Sequence, residues 1–506
     1  MHWLKLPEPH QNIELAFRDL ASARIWLAEQ PQAQAQHMLP TICRQIDAID
    51  GAGLPAQLAI DLLNLLRSAA VPSQAAVESR YFRKALPMPE DDVRTFETAQ
   101  QLWLSLGIAY LRLAPHFPPT EKLLPLNRAA CAIRMAEYCH FQAARECPPL
   151  LDQLLFGILA QAESSRVLRL PLADPDFPHL GEANIAGHLA WAFLLRLIDP
   201  YRLSAAQLTV ANRAISRWRE LAPFQSMPDD DPRAHSVDLQ PLFGAPLPEG
   251  LPRWLEVRKV ERKIEQRIAA LQDGESPESL KLGRELSGAA CIRLLREIES
   301  SLESSQPRRS SEAGDIELAF GLDNAYAILT GEFLRSAALD TGSAALAHQR
   351  IAMFGFDRLS SMPTAVKKLN VPSEQWSLSN GWARRQASGE RRLSPSLVTA
   401  QPGDTPRVGV LLGLLTDATG SLYARLNWYD GHLEGVRLPG DVQRRQAELP
   451  GLLLDDGERL SLIAPVNANL RLDTPLTVQG KAAYALRLQE VVERGADFVR
   501  YAITLT

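Results

Sequence analysis

Residues Trp376–Gln386 read W-S-L-S-N-G-W-A-R-R-Q. Two short aromatic-bearing runs flank Asn380-Gly381, the dipeptide that best tolerates the positive φ required at both central positions of a type I′ turn. The stretch predicts strand, tight turn, strand, with Arg384-Arg385 on the second strand. It therefore reads as the first hairpin of an antiparallel β region.

The sequence after it keeps the same period. Leu422, Ala424, Leu426 and Trp428 alternate with Tyr423, Arg425, Asn427 and Tyr429, and Asp430-Gly431 follows as a hairpin signal. Asp456-Gly457, between Leu452–Leu454 and Leu460–Ile463, repeats it. With Val408–Leu415 and the closing F-V-R-Y-A-I-T-L of Phe498–Leu505, the pattern predicts at least five or six antiparallel strands, closed as one or two small barrels.

Upstream the period is helical. Val93, Phe96, Trp103, Leu106, Tyr110 and Leu113 lie on one face, and from Pro55 to about Leu221 strand signals are nearly absent. Glu182–Ile198 and Ser204–Leu221 read as helices joined by D-P-Y-R-L, the second opened by a capping box of Ser204 and Gln207. The stretch M-P-D-D-D-P-R and the Pro/Gly-rich segment after it mark a boundary near residue 232. Beyond it, Trp254, Val257, Val260, Ile264, Ile268 and Leu271 form an apolar stripe. Ser276 and Pro277 read as the start of a second helix running to about Ser301, and Ser304–Gly314 as a polar linker. The expected divisions are 1–232, a helical domain; 233–306, a helical pair; and 307–506, the β-barrel region.

Composition narrows the function. With 506 residues, 46% hydrophobic, the chain has ample core for several domains, and its formal charge of −5 supplies no field for a nucleic acid polymer or an acidic membrane. The N-terminus lacks the apolar core of a secretory signal, and the apolar run Leu189–Ile198 is too short for a membrane span, which needs roughly 20 residues. Five cysteines, an odd and small number, fit a reducing compartment, so a cytoplasmic protein is expected. The sequence holds no G-x-x-x-x-G-K-[ST], G-x-G-x-x-G, G-x-S-x-G or H-E-x-x-H. Cys131, Cys139 and Cys147 recur at a spacing foreign to metal ligands, and Asp229–Asp231 are consecutive, so no metal set is assigned. No catalytic residue is assigned either, and the chain is read as working by binding, without cofactor.

The arginines carry the remaining signal. Arg308-Arg309 lie in the linker, while Arg384-Arg385 and Arg391-Arg392 flank the hairpin. A guanidinium forks onto phosphate, pairs with the Hoogsteen edge of guanine and stacks on bases, which suits a guanine nucleotide. A solvated hairpin face is the plainer account of the same residues.

Several segments resemble a known family. A-L-P-M-P-E (Ala85–Glu90), I-D-P-Y-R-L-S-A-A-Q-L (Ile198–Leu208), S-V-D-L (Ser236–Leu239), R-W-L-E-V-R, L-L-R-E-I-E (Leu294–Glu299) and V-V-E-R-G-A-D-F-V-R-Y (Val491–Tyr501) are similar to stretches of large bacterial PilZ-domain proteins with a helical N-terminal region. The resemblance implies a receptor or adaptor in cyclic di-GMP signalling, the control of motility against biofilm growth. The family's ligand motif is R-x-x-x-R followed by a strand of the form W-x-L-x-N-E-S-A-x-G. Aligned on Trp376 and Leu378, this chain keeps Asn380 but has Gly381 and Trp382 for Glu and Ser, and Arg385 at the final Gly. Arg308-x-x-x-Glu312 ends in the wrong charge, and Arg350 and Arg358 are eight apart. If cyclic di-GMP binds, the expected site lies where the linker meets the hairpin, with Arg308 and Arg309 as an arm, Arg384 and Arg385 as a fork, Asn380 as a polar contact and Trp382 as a stacking face or a plug.

The expectation is a multidomain α+β protein, an all-helical N-terminal region followed by a PilZ-like antiparallel β-barrel region, with cyclic di-GMP as ligand and an unidentified protein partner. The alternatives are a helical scaffold whose degenerate barrel binds only protein, and an enzyme whose pocket gathers distant His or carboxylate groups.

Overall fold

A computed structural model describes the chain apart from residues 1–3, 11–12, 32, 230, 232, 243–246, 248, 304–312, 335–369, 402–404, 441–447 and 506. It resolves into two compact units: Met1–Pro307 with Leu415–Ala418, and Arg308–Leu414 with Thr419–Thr506.

The first unit is built on helices α1 (Leu20–Glu29), α2 (Ala35–Gly51), α3 (Ala56–Val77), α4 (Glu90–Leu113), α5 (Leu123–Ala143), α6 (Pro149–Ser164), α7 (Ile185–Leu197) and α8 (Ala205–Trp218). Helix α4 starts with Glu90, Asp91 and Asp92, whose charges suit the positive end of the helix dipole. Its apolar face buries Phe96, Trp103, Leu106 and Tyr110, as the period predicts. Helix α5 is buried along nearly its whole length and packs on α4, α6 and α7, so it forms the axis of the unit. The Ser204–Gln207 capping box opens α8 as read.

Three boundaries differ from the sequence reading. Glu182–Ala183 is a strand, β2, paired with β1 (Leu172–Ala173), and α7 starts only after Asn184, whose side chain accepts the Gly187 amide at 2.7 Å. Trp254 sits in β5 (Trp254–Glu256), the centre of a small sheet with β3 (Phe224–Gln225) and β4 (Ser236–Asp238), and not on the helical stripe. That stripe is α9 (Arg258–Gln272), which buries Val260, Ile264, Ile268 and Leu271. The partner helix α10 spans Gly288–Glu303 and does not begin at Ser276. Positive φ at Lys281 (63°) and Gly283 (105°) turns the chain, and the Ser276 hydroxyl caps only a local turn by accepting the Ser279 amide.

The second unit follows the change of period. Strands β6 (Gly314–Phe320), β7 (Glu374–Ser379), β8 (Trp382–Arg385), β9 (Ser396–Ala400), β10 (Arg407–Thr416) and β11 (Leu422–Trp428) close a barrel in the order β10-β11-β8-β7-β6-β9. A second barrel takes β12 (His432–Leu438), β13 (Leu449–Asp455), β14 (Leu460–Pro465), β15 (Pro475–Gln479), β16 (Ala483–Arg494) and β17 (Phe498–Leu505), in the order β12-β13-β14-β17-β16-β15. Helix α11 (Leu322–Thr330) places Leu322, Ala325 and Tyr326 in one cluster with Leu397, Val408 and Val410 of the first barrel and Leu452, Ile463 and Phe498 of the second. The Asp497 carboxylate accepts the Leu397 amide at 3.1 Å across the same junction.

Of the two Asp-Gly turns, one is a hairpin and one is not. Asp456-Gly457 joins β13 to β14, but Asp455 pairs with Leu460, so the loop is longer than a two-residue I′ turn. The Asp456 carboxylate organises it by accepting the Arg459 amide at 2.7 Å. Asp430-Gly431 corrects the reading: β11 pairs with β8 in the first barrel and β12 with β13 in the second, so this turn is the crossover between barrels.

Candidate functional site

The Trp376–Gln386 stretch is the β7–β8 hairpin. Ser379 pairs with Trp382, and the intervening Asn380 and Gly381 have φ of 51° and 79°, the geometry of a type I′ turn. The turn fixes the register, and the register assigns each side chain to a face. Trp376, Ala383 and Arg385 are buried, whereas Arg384 is exposed and Trp382 half-buried.

This alternation separates the arginine pair. Arg385 is 7% exposed, ion-paired to Glu374, donates to the Glu390 carbonyl at 2.8 Å and lies 5.3 Å from the Trp376 ring centroid. Glu374 also takes Arg392 at 2.7 Å, whose guanidinium sits 4.0 Å over Phe320. Burial raises the Glu374 carboxyl, but the Arg392 hydrogen bond and the Arg385 charge outweigh it and hold the group below the usual range. Arg384 and Arg385 do not form one fork: adjacent strand residues point to opposite faces, and Arg385 is spent on the inner one.

The outer face has a different set of partners. Arg384 lies opposite Tyr423 of β11, its guanidinium 5.6 Å from that ring, and donates to the Ser421 hydroxyl at 3.3 Å. Arg425 lies 4.6 Å over Trp382, whereas Arg407 of β10 lies 4.7 Å over Trp428, which shares the strand parity of buried Leu422 and Ala424 and so stands on the other face. Strands β8 and β11 thus display two guanidinium–aromatic pairs on the outer face, each contributing roughly 0.5–1 kcal/mol at an exposed position. Asn380 is exposed at the hairpin tip. Arg308 and Arg309 lie outside the described residues. The sequence reading did not assign Tyr423, Arg425, Arg407 and Trp428. The outward alternation of Tyr423 and Arg425 was visible, but their position across from Trp382 and Arg384 depends on a pairing between strands distant in sequence.

The other candidates dissolve into structure. Burial pushes the Cys139 thiol up to about 12, and Cys43 likewise. Asp229 and Asp231 are exposed, and the Asp229 carboxylate accepts the Asp231 amide at 3.0 Å. Among the described residues no three His, Cys, Asp or Glu side chains are grouped to hold a metal ion, and no helix is long and apolar enough to cross a membrane. A cavity of about 290 Å³ is lined by Asp50, Arg112 and His116, yet Asp50 is committed to Arg112 at 2.8 Å.

Residues 21–230 match the family described as cyclic-di-GMP receptor FimW, N-terminal domain. The matched segment takes in nearly all of α1 and the whole of α2 to α8. The FimW match bears out the implied cyclic di-GMP signalling protein with a helical N-terminal region, here followed by antiparallel barrels. No curated protein and no solved structure matches the chain.

Proposed function

We propose that the chain is a cytoplasmic, non-enzymatic cyclic di-GMP receptor or adaptor whose first barrel is PilZ-like and takes the dinucleotide on its outer face. The FimW-type helical region carries the reading, because that family is described as a cyclic-di-GMP receptor. The β8–β11 surface supports it chemically. Trp382 and Tyr423 offer stacking faces for guanine, Arg384 and Arg425 offer guanidinium donors for phosphate, and Asn380 adds a polar contact at the tip. Arg308 and Arg309 are assigned as the arm that closes over the ligand.

Isothermal titration of the purified protein with cyclic di-GMP tests this. A Kd in the micromolar range or tighter, about −8 kcal/mol, is expected, with at least tenfold weakening in Trp382→Ala and in Arg384→Ala/Arg425→Ala. Absence of binding in the wild type overturns the receptor and leaves the protein-binding scaffold. One observation favours that second reading: Arg385, at the family's glycine position, is held internally by Glu374.

A further inference from the structure

The chain before α1 lies as an extended strap on the helical unit. Leu4 and Leu6 are half-buried against the helical core, whereas Lys5, Pro7 and Glu8 are exposed. Leu4 sits on Gly157 of α6: a Cβ there would stand 2.6 Å from the Leu4 Cδ2, and the three atoms nearest to it all belong to Leu4. Three residues on, a span of about 10 Å in an extended chain, Arg112 of α4 donates to the Pro7 carbonyl at 2.7 Å. The glycine notch and the arginine thus hold a side chain and a backbone carbonyl of one short segment.

This cover is lightly held and leaves space beneath it. Among the described residues, 4–10 make no backbone–backbone hydrogen bond, and none of the seven is fully buried. The firm anchor comes later, where Gln45 accepts the Ala16 amide at 2.8 Å and donates to the Glu14 carbonyl at 3.4 Å, and Phe17, 3% exposed, packs 5.4 Å from the Trp26 ring. A segment with little buried apolar surface and solvated backbone opens at small cost, so residues 4–10 can leave while Phe17 stays. Arg112 also lines the cavity of about 290 Å³, together with Leu54, Leu63 and Leu113, and no described residue of the strap lines it. An apolar space of about 150 Å³ already admits a benzene ring. Parity puts position 8 on the side of Leu4 and Leu6, directly after the carbonyl that Arg112 holds. The residue there is exposed Glu8, whose charge a largely apolar wall that already carries Asp50 does not accept.

We propose that this groove on α4 and α6 docks an extended segment of a protein partner, with apolar side chains at three alternate positions and the third bulky enough to enter the cavity. Residues 4–10 cover the groove until that segment displaces them. The cover competes from within the chain at an effective concentration on the order of millimolar, so a segment that merely repeats its contacts is excluded and one that adds the cavity contact is admitted. The inference is independent of the cyclic di-GMP reading.

The test is fluorescence anisotropy of two labelled heptapeptides titrated with the full chain: L-K-L-P-E-P-H, a copy of residues 4–10, and the same peptide carrying Glu8→Phe. The substituted peptide is expected to bind about tenfold tighter than the copy, and about tenfold tighter again to a Leu4→Asp/Leu6→Asp chain, whose own cover is unseated. Arg112→Ala and, separately, Gly157→Ala should each weaken it about fivefold or more. Gly157→Ala favours helix and fills only the Leu4 notch, so it decides the matter if Arg112→Ala fails to fold. Equal affinity of the two peptides, no binding of the substituted one to the Leu4→Asp/Leu6→Asp chain, or an affinity unmoved by Gly157→Ala overturns the proposal. So does sedimentation of the wild-type chain as a dimer that Leu4→Asp/Leu6→Asp dissolves, because the occupant is then the strap of a second copy.

Discussion

At the scale of single residues, the decisive pair is Arg384 and Arg385, neighbours in sequence with opposite fates. Arg385 belongs to an inner cluster in which Glu374 holds two guanidiniums, so removing that carboxylate should be felt as stability and not as ligand binding. Glu374→Gln is predicted to cost roughly 1–3 kcal/mol in urea unfolding, after discounting the buried-pair figure for the partial exposure of Glu374. The acid dependence has a definite sign. The folded carboxyl is depressed, so its contribution is full above the ordinary glutamate value of 4.5 and lost as pH falls through the folded value. The stability gap between wild type and Glu374→Gln should therefore be constant from pH 7 to about 5 and shrink on further acidification; a gap that widens in acid contradicts the assignment. Asn380, Trp382 and the arginine pair were all legible as candidates from the text W-S-L-S-N-G-W-A-R-R-Q. Their partition into inner and outer sets needed the turn register. Glu374 itself carried no signal, since a single glutamate two residues before a tryptophan looks like any solvated strand end.

At the scale of elements, the two Asp-Gly turns show what a local motif does and does not specify. Both demand a backbone that glycine accepts, with φ of 110° at Gly431 and 85° at Gly457, and that demand was legible. What differs is the surroundings. A Cβ at Gly457 meets nothing within 4 Å, whereas one at Gly431 would stand 2.1 Å from the Asp455 carbonyl oxygen. Gly457→Ala is thus predicted to cost about 1 kcal/mol, the conformational part alone, and Gly431→Ala about 3 kcal/mol or more, because backbone must also move. Denaturant midpoints of the two variants check this, and equal losses would show that the crossover packs no more tightly than the hairpin. Which strands a turn connects was not legible, because pairing of β11 with β8 and of β12 with β13 is decided by contacts far apart in sequence. The misplaced start of α10 has a similar cause. Ser-Pro is a sound local start signal, but Gly283, four residues before Ser287, takes a φ that no continuing helix permits.

At the scale of the whole molecule, the change of hydrophobic period was enough to foresee mostly helix up to about Ser301 and mostly strand after about Asp315. Circular dichroism of residues 1–306 and 307–506 as separate fragments should show a helical spectrum for the first and a mainly strand spectrum for the second, in which α11 is the helix among the described residues. A strongly helical second fragment would contradict the fold. The number of barrels stayed open in the sequence, since closure is a property of the whole set of strands and leaves no mark on any one of them. That closure has a consequence for recognition. A sheet with an open edge can capture any extended peptide through its backbone, with little regard for side chains. Two closed barrels withhold that generic handle. Along the paired strands recognition then falls to side chains, and on the proposed face single codon changes at positions 382, 384, 423 and 425 can alter it while the hydrogen-bonded framework beneath stays the same.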